Sequence, residues 1–305
     1  MRVALLLGLC LCTASCCVPG VAVASPDEPF ASEIQYTGEL LASLQGYGDQ
    51  MQSGKLRLRT EAEFLEQKSD NFIEELDVWF DGVRSRVEQR VVRSFSADEP
   101  SATTEVCRVF DGERVVETTP PELGYVHVAV VQDLPDLPSY TGLGNAGPLY
   151  LYAIGPSFNR STSVKADIAR SGGQVVSREE VSGLVCWHMS APEVAGRGWQ
   201  LTRSWWIGPS ADRAVVQYSE LITWTEGPTQ QKETLHTVSE WLESAPDVWL
   251  PKVVTRRVLI QPRGGQEKLA RVDTTKLLAA AANIAIEDTV FELELPEGTT
   301  ERPFR

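Results

Sequence analysis

The sequence predicts a mainly β protein, an antiparallel meander curled into a barrel or half-barrel, with a few short helices. Three observations predict it. From Lys55 onward, apolar and polar residues alternate with period two in one segment after another. Tight-turn pairs, Asp81-Gly82, Asp111-Gly112 and Gly264-Gly265, stand between those segments. Of the 305 residues, 42% are hydrophobic and 23% charged, a globular composition long enough for one large β domain or two ordinary ones.

The N-terminus is read first as an export signal. Arg2 supplies positive charge, Val3 to Leu11 is an apolar run, and Ala22-Val23-Ala24 offers the small residues that a signal peptidase needs before Ser25. Residues 1–24 are therefore expected to be removed, leaving the protein in the periplasm or outside the cell. Thr13-Ala14-Ser15-Cys16 also looks like an imperfect lipobox, which would anchor the chain to a membrane through acylated Cys16. No segment is long enough for a transmembrane helix; the run from Leu277 to Ala285 is about half the required length.

A helix is expected within Glu33 to Met51, where Leu40, Leu41, Leu44 and Tyr47 fall at helical spacing and no proline intervenes. Period two then takes over. Leu56, Leu58, Thr60, Ala62 and Phe64 share one face of a strand, and Lys55, Arg57, Arg59, Glu61 and Glu63 share the other. Leu76, Val78 and Phe80 repeat the pattern. Asp81-Gly82 turns the chain, since glycine accepts the positive φ of a hairpin turn, and Val83, Val87 and Val91 line the return strand. Phe110-Asp111-Gly112 marks a further hairpin.

The middle breaks the pattern. Pro135 and Pro138 make a loop of residues 134–140, and short helices are expected at Leu149 to Ile154 and Ser163 to Arg170. This insertion, around 134–172, is a candidate domain boundary. One domain over residues 25–305 is preferred, because neither half would close its sheet alone. Strands resume with Trp199, Leu201, Trp205 and Ile207 on one face. They continue through 214–224, 232–242, 252–260 and 267–273, separated by Gly208-Pro209, Glu226-Gly227-Pro228 and Gly264-Gly265.

Charge and motifs exclude several functions. A net charge of -14 repels phosphate backbones, so nucleic acid is not the expected partner. His127, His188 and His236 lie singly in strand-like runs, without a metal-ligand spacing. Gly142 to Gly147 matches G-x-G-x-x-G, but it follows a proline loop and lacks the strand before and helix after that dinucleotide binding requires. No G-x-S-x-G elbow occurs. No catalytic residue, metal ligand or cofactor is therefore assigned. Cleavage of the leader leaves Cys107 and Cys186, either a disulfide in an oxidising compartment or two buried free thiols. The eight tryptophans suit core packing, an apolar cavity or sugar stacking, with Trp205 and Trp206 on opposite faces of one strand.

Several segments resemble, in order, the LolA-like family of outer-membrane lipoprotein carriers. They are Trp79-Phe80-Asp81-Gly82-Val83-Arg84, Val181-Ser182-Gly183-Leu184-Val185-Cys186, Ser204-Trp205-Trp206-Ile207-Gly208-Pro209, Trp249-Leu250-Pro251-Lys252, and Asp288 to Leu293 followed by Pro296-Glu297-Gly298-Thr299. Gly208 stands where the family usually has Asp. The resemblance implies a helix-capped half-barrel of the cell envelope, a carrier or sensor whose apolar cavity holds the acyl chain of a lipid or lipoprotein without catalysis. Strand parity names Leu56, Leu58, Phe64, Val78, Phe80, Trp199, Leu201 and Trp205 as candidates for that cavity. Two other readings remain: an envelope interaction protein with a filled cavity and a protein partner, and a hydrolase or sugar-binding module using exposed tryptophans.

Overall fold

The computed structural model describes residues 40–41, 44, 51–93, 102–118, 125–130, 149–150, 152, 164–191, 194–208, 215–246, 248–293, 295 and 297–303. The leader with its Cys16 motif, the loop of Pro135 and Pro138, the Gly142–Gly147 motif and most of the helix expected around 33–51 lie outside them.

The described chain is mainly β, in agreement with the period-two reading. The first meander comprises β1 (Ser53–Phe64), β2 (Phe72–Asp81), β3 (Arg84–Arg93), β4 (Ala102–Phe110), β5 (Arg114–Thr118) and β6 (Tyr125–Val130). Helix α1 (Val164–Ser171) follows, then β7 (Gln174–Val181), β8 (Leu184–Ser190), β9 (Val194–Gly196), β10 (Trp199–Ile207), β11 (Val215–Trp224), β12 (Thr229–Ala245), β13 (Val248–Pro262), β14 (Lys268–Ala282) and β15 (Thr300–Pro303). All belong to one sheet, ordered β15-β6-β5-β4-β3-β2-β1-β14-β13-β12-β11-β10-β8-β7, with β9 attached to β10. That path is open at both ends. Every pair is antiparallel except β15 with β6, which is parallel.

Local chemistry explains the layout. Gly82 has φ +58° in the β2–β3 turn, the conformation that Asp81-Gly82 predicts. Val83 belongs to this turn and is exposed, so only Val87 and Val91 of the expected trio lie on β3. Strands β12 to β14 run longer than alternation suggests, because bulges let them continue where the period breaks. Pro251, which lacks an N–H, pairs with Trp241 beside such a register shift. Among the described residues of the two expected helical stretches before α1, positions 40, 41, 149, 150 and 152 are helical.

The two meanders join through β1 and β14, which pair from Gly54–Ala282 to Phe64–Arg271. One face of this sheet is covered. Leu44, Tyr150, Tyr152, Val164 and Ile168 pack onto Leu56, Leu58, Leu76, Val78, Phe80, Trp205, Val254 and Leu277 in a single core. On the opposite face Trp206 joins Val181, Cys186 and Val216 in a small second cluster, so Trp205 and Trp206 do face opposite ways.

Leu58 is fully buried within the larger core, and truncating it leaves a cavity that its rigid neighbours cannot fill. Leu58→Ala should lower unfolding free energy by about 2–5 kcal/mol. Leu58→Asp, which places a charge there, should prevent folding. Urea titration followed by far-UV circular dichroism measures both; a wild-type midpoint for Leu58→Ala would show that this face is not packed.

Candidate ligand site on the covered face

Cross-strand register divides the covered face into three zones. The first is apolar and filled. Leu56 lies opposite Val78, Leu58 opposite both Leu76 and Leu277, and Trp205 opposite Tyr218. Five of the sequence-named candidates, Leu56, Leu58, Val78, Phe80 and Trp205, sit here with no exposed surface. They contact the protein's own covering residues.

The second zone is a polar belt. Its members follow one another across the register: Glu74 faces Thr60, Thr60 faces Thr275, Asp273 faces Arg256, Arg256 faces His236, and His236 faces Tyr218. Thr60 and Thr275 share a buried hydrogen bond of 2.8 Å between their hydroxyls. Gln89 donates from its side-chain amide to Glu74. Asp273, with no exposed surface, accepts from Arg271 at 2.6 Å and from Arg256 at 3.2 Å. Two guanidinium partners make burial of that carboxylate tolerable. Further along, Tyr218 donates to Glu220 at 2.6 Å, and Arg203 bridges Glu220 at 3.3 Å and Asp167 of α1 at 3.8 Å. Tyr152 donates to Asp167 at 2.6 Å and accepts from the Trp205 indole at 3.3 Å, which ties the covering residues to the sheet.

The third zone is open. Beyond the belt, Phe64, Phe72, Gln89, Val91, Arg93 and Arg271 line a cavity of about 520 Å³, rimmed by Ser69 and Asp70 of the short 3-10 helix Lys68–Asp70. The Phe64 backbone N–H donates to Asn71 Oδ1 at 2.8 Å, which fixes the β1–β2 connection at this rim. Phe64 and Phe72 meet at 6.4 Å and 50°. The Arg271 guanidinium lies 4.6 Å from the Phe64 ring and 5.1 Å from the Phe72 ring, within cation–π range of both. Of the eight named candidates, Phe64 alone lines this cavity. Leu201 and Trp199 lie at the same end of the strand direction on β10, Trp199 being 37% exposed. Phe72, Arg93 and Arg271 were not singled out from sequence, although the parity that selects Phe64 extends to Phe72 through their shared turn.

The opposite face carries a polar knot. His188 Nδ1 lies 2.8 Å from Glu179 and 3.2 Å from the Ser177 hydroxyl, and its ring stacks on Trp206 at 4.4 Å and 6°. The Trp206 indole donates to Glu179 at 2.7 Å; that bond leads the effects that hold the Glu179 carboxyl below its usual range. His188 therefore does have an acidic neighbour, invisible in the sequence because Glu179 comes from the adjacent strand. Serine and carboxylate converge on the same ring nitrogen, whereas nucleophilic catalysis needs them on opposite nitrogens.

Cys107 on β4 and Cys186 on β8 are both free thiols. Of the two alternatives the sequence leaves open, this arrangement corresponds to the free thiols, and the sheet order puts eight strands between the two. Burial raises both thiols above their ordinary pKa, that of Cys186 to about 11. Among the described residues no group of three His, Cys, Asp or Glu can hold a metal ion, and no helix is long and apolar enough to cross a membrane.

Burial, reinforced by the Arg256 charge, lowers the pKa of His236 to about 3. It is neutral when folded, while the unfolded chain takes up the proton near pH 6.5. Between those values the unfolded state binds more protons, so this residue's contribution falls as pH drops from about 6.5 toward 3. His236→Phe should remove that slope. The stability difference between wild type and variant, from urea melts at several pH values, should move in the variant's favour on acidification. A constant difference would contradict the burial of a neutral imidazole.

No known family model matches the chain, and no curated protein matches it. Solved structures similar to it include a DUF1329 family protein from Desulfovibrio piger ATCC 29098, with 9% identity and a TM-score of 0.48, covering 86% of this chain and 98% of that one. LolA superfamily protein NE2245 from Nitrosomonas europaea has 10% identity and a TM-score of 0.44, covering 84% and 97%. LprF from Mycobacterium bovis has 11% identity and a TM-score of 0.30, covering 82% and 97%.

Proposed function

We propose that this chain is a non-catalytic protein of the bacterial cell envelope, exported by its leader, that binds an acyl chain of a lipid or lipoprotein. The single observation that carries the proposal is the open cavity of about 520 Å³ beyond the polar belt, where Phe64, Phe72 and Val91 form the apolar part of a lining otherwise polar and charged. Its size falls within the roughly 300–1,000 Å³ typical of small-molecule sites. Each methylene withdrawn from water there contributes about 0.8 kcal/mol, so part of one chain is enough for measurable binding. The ordered motifs that resemble LolA-like carriers support the same reading, as does a leader that fits export. In this proposal residues 25–305 form one domain, a half-barrel, and Phe64 is the sequence-named candidate that touches ligand. Leu201 and Trp199 stand at the same end of the sheet, with four strands between β1 and β10.

The filled zone favours a second reading. Leu56, Leu58, Val78, Phe80 and Trp205 are covered by the protein's own side chains, as in an interaction protein that binds a protein partner and takes up no lipid.

Native mass spectrometry of the purified protein, with uptake of the neutral fluorophore N-phenylnaphthylamine, separates the two. A co-purifying adduct of lipid mass, or bright probe fluorescence, is the expected result. Phe64→Asp puts a charge on the half-buried cavity wall and should reduce probe uptake at least about tenfold, equivalent to about 1.4 kcal/mol. Its fold, checked by circular dichroism, should remain. A clean mass with no probe uptake would favour the filled-face interaction protein.

A further inference from the structure

The cavity is not a plain apolar slot. Two arginines and one carboxylate, Arg93, Arg271 and Asp70, line it, so the lining carries a net +1 (2 − 1) in a chain whose net charge is -14. Two acids lie beneath the lining: Asp273 is shared between Arg256 and Arg271, and Glu74 accepts from Gln89. Asp70 accepts from the Ser69 hydroxyl at 3.3 Å on the rim. Arg93 is exposed at the end of β3, and its side chain has no ion-pair partner among the described residues. Arg271 is held on one side by Asp273 at 2.6 Å and on the other by the rings of Phe64 and Phe72. Its cation is thus fixed in place before any ligand arrives, which limits the ordering cost of binding.

Resting on the acyl-binding reading of this site, we infer that the ligand is an anionic single-chain amphiphile. Its carboxylate or phosphate head lies at Arg93 beside Arg271, and its chain lies over Phe64, Phe72 and Val91. Guanidinium suits either head, since its fork of N–H donors matches two oxygens at once. The cavity volume suits one chain rather than the several chains of a diacyl or triacyl anchor. The acidic exterior opposes an anion only within about 8 Å at physiological salt, whereas the two arginines act at contact.

The test loads purified protein with N-phenylnaphthylamine and displaces the probe with four amphiphiles of equal chain length: dodecanoate, dodecyl phosphate, dodecanol and dodecyltrimethylammonium. The anions should displace it at concentrations at least about tenfold below the alcohol and the cation, the size expected for one charge-assisted hydrogen bond. In Arg93→Gln the probe should still enter and the urea midpoint should stay unchanged, while the anion preference collapses. The stronger of the two anions identifies the head as fatty acid or phosphate monoester. Equal displacement by all four would overturn the anionic inference and leave acyl binding intact. An anion preference that survives Arg93→Gln would overturn the placement of the head. Failure of the probe and of every amphiphile to bind would overturn both readings.

Discussion

The pairing of β1 with β14 is the constraint on which the rest depends. It joins residues more than two hundred positions apart and turns two meanders into one sheet. Gly54 marks how close the strands come: a Cβ there would lie 2.5 Å from the Ala281 carbonyl oxygen and 3.0 Å from the Phe80 ring. The same register sets Thr60 against Thr275 and Phe64 against Arg271. A slip of one residue would carry Leu56 and Leu58 to solvent and bring Arg57 and Arg59 into the core. The buried hydroxyl pair penalises that slip, because each hydroxyl would lose its partner.

From this register the three zones follow. Apolar residues at one end of each strand meet the covering helical residues and pack. Polar residues at the middle meet one another across the strands. Their satisfaction is collective: Asp273 is tolerable in the interior because Arg256 and Arg271 both reach it, and Arg271 is in turn positioned by the two phenyl rings. The belt thus does two things, completing the core on one side and presenting a fixed cation to the cavity on the other.

Much of the architecture was legible in the sequence, since period-two alternation and Gly turns are local properties. Parity placed Leu56, Leu58, Val78, Phe80 and Trp205 on one face with Phe64, and the structure agrees on the face. It cannot tell where along a strand that face is covered, which depends on Leu44, Leu149, Tyr150, Tyr152, Val164 and Ile168 arriving from elsewhere in the chain. The polar belt was illegible for a related reason. Glu74, His236, Arg256 and Asp273 are scattered singly over two hundred positions and become one network only through register. On the same ground the sequence leaves open whether Cys107 and Cys186 pair, since strand-like surroundings carry no information about how many strands lie between them.

A face that is packed at one end and open at the other needs a boundary that stops the core from collapsing into the cavity. An apolar boundary would not provide one, because neighbouring side chains would move in to bury the exposed surface. A row of hydrogen-bonded and charged groups does, because closing over it would strip partners from Glu74, Asp273 and Arg256. The belt is therefore what keeps about 520 Å³ open beside a well-packed core. Through Asp273 the same belt holds Arg271 at the edge of that space, so one of the two cations facing the site is positioned by the groups that keep it open.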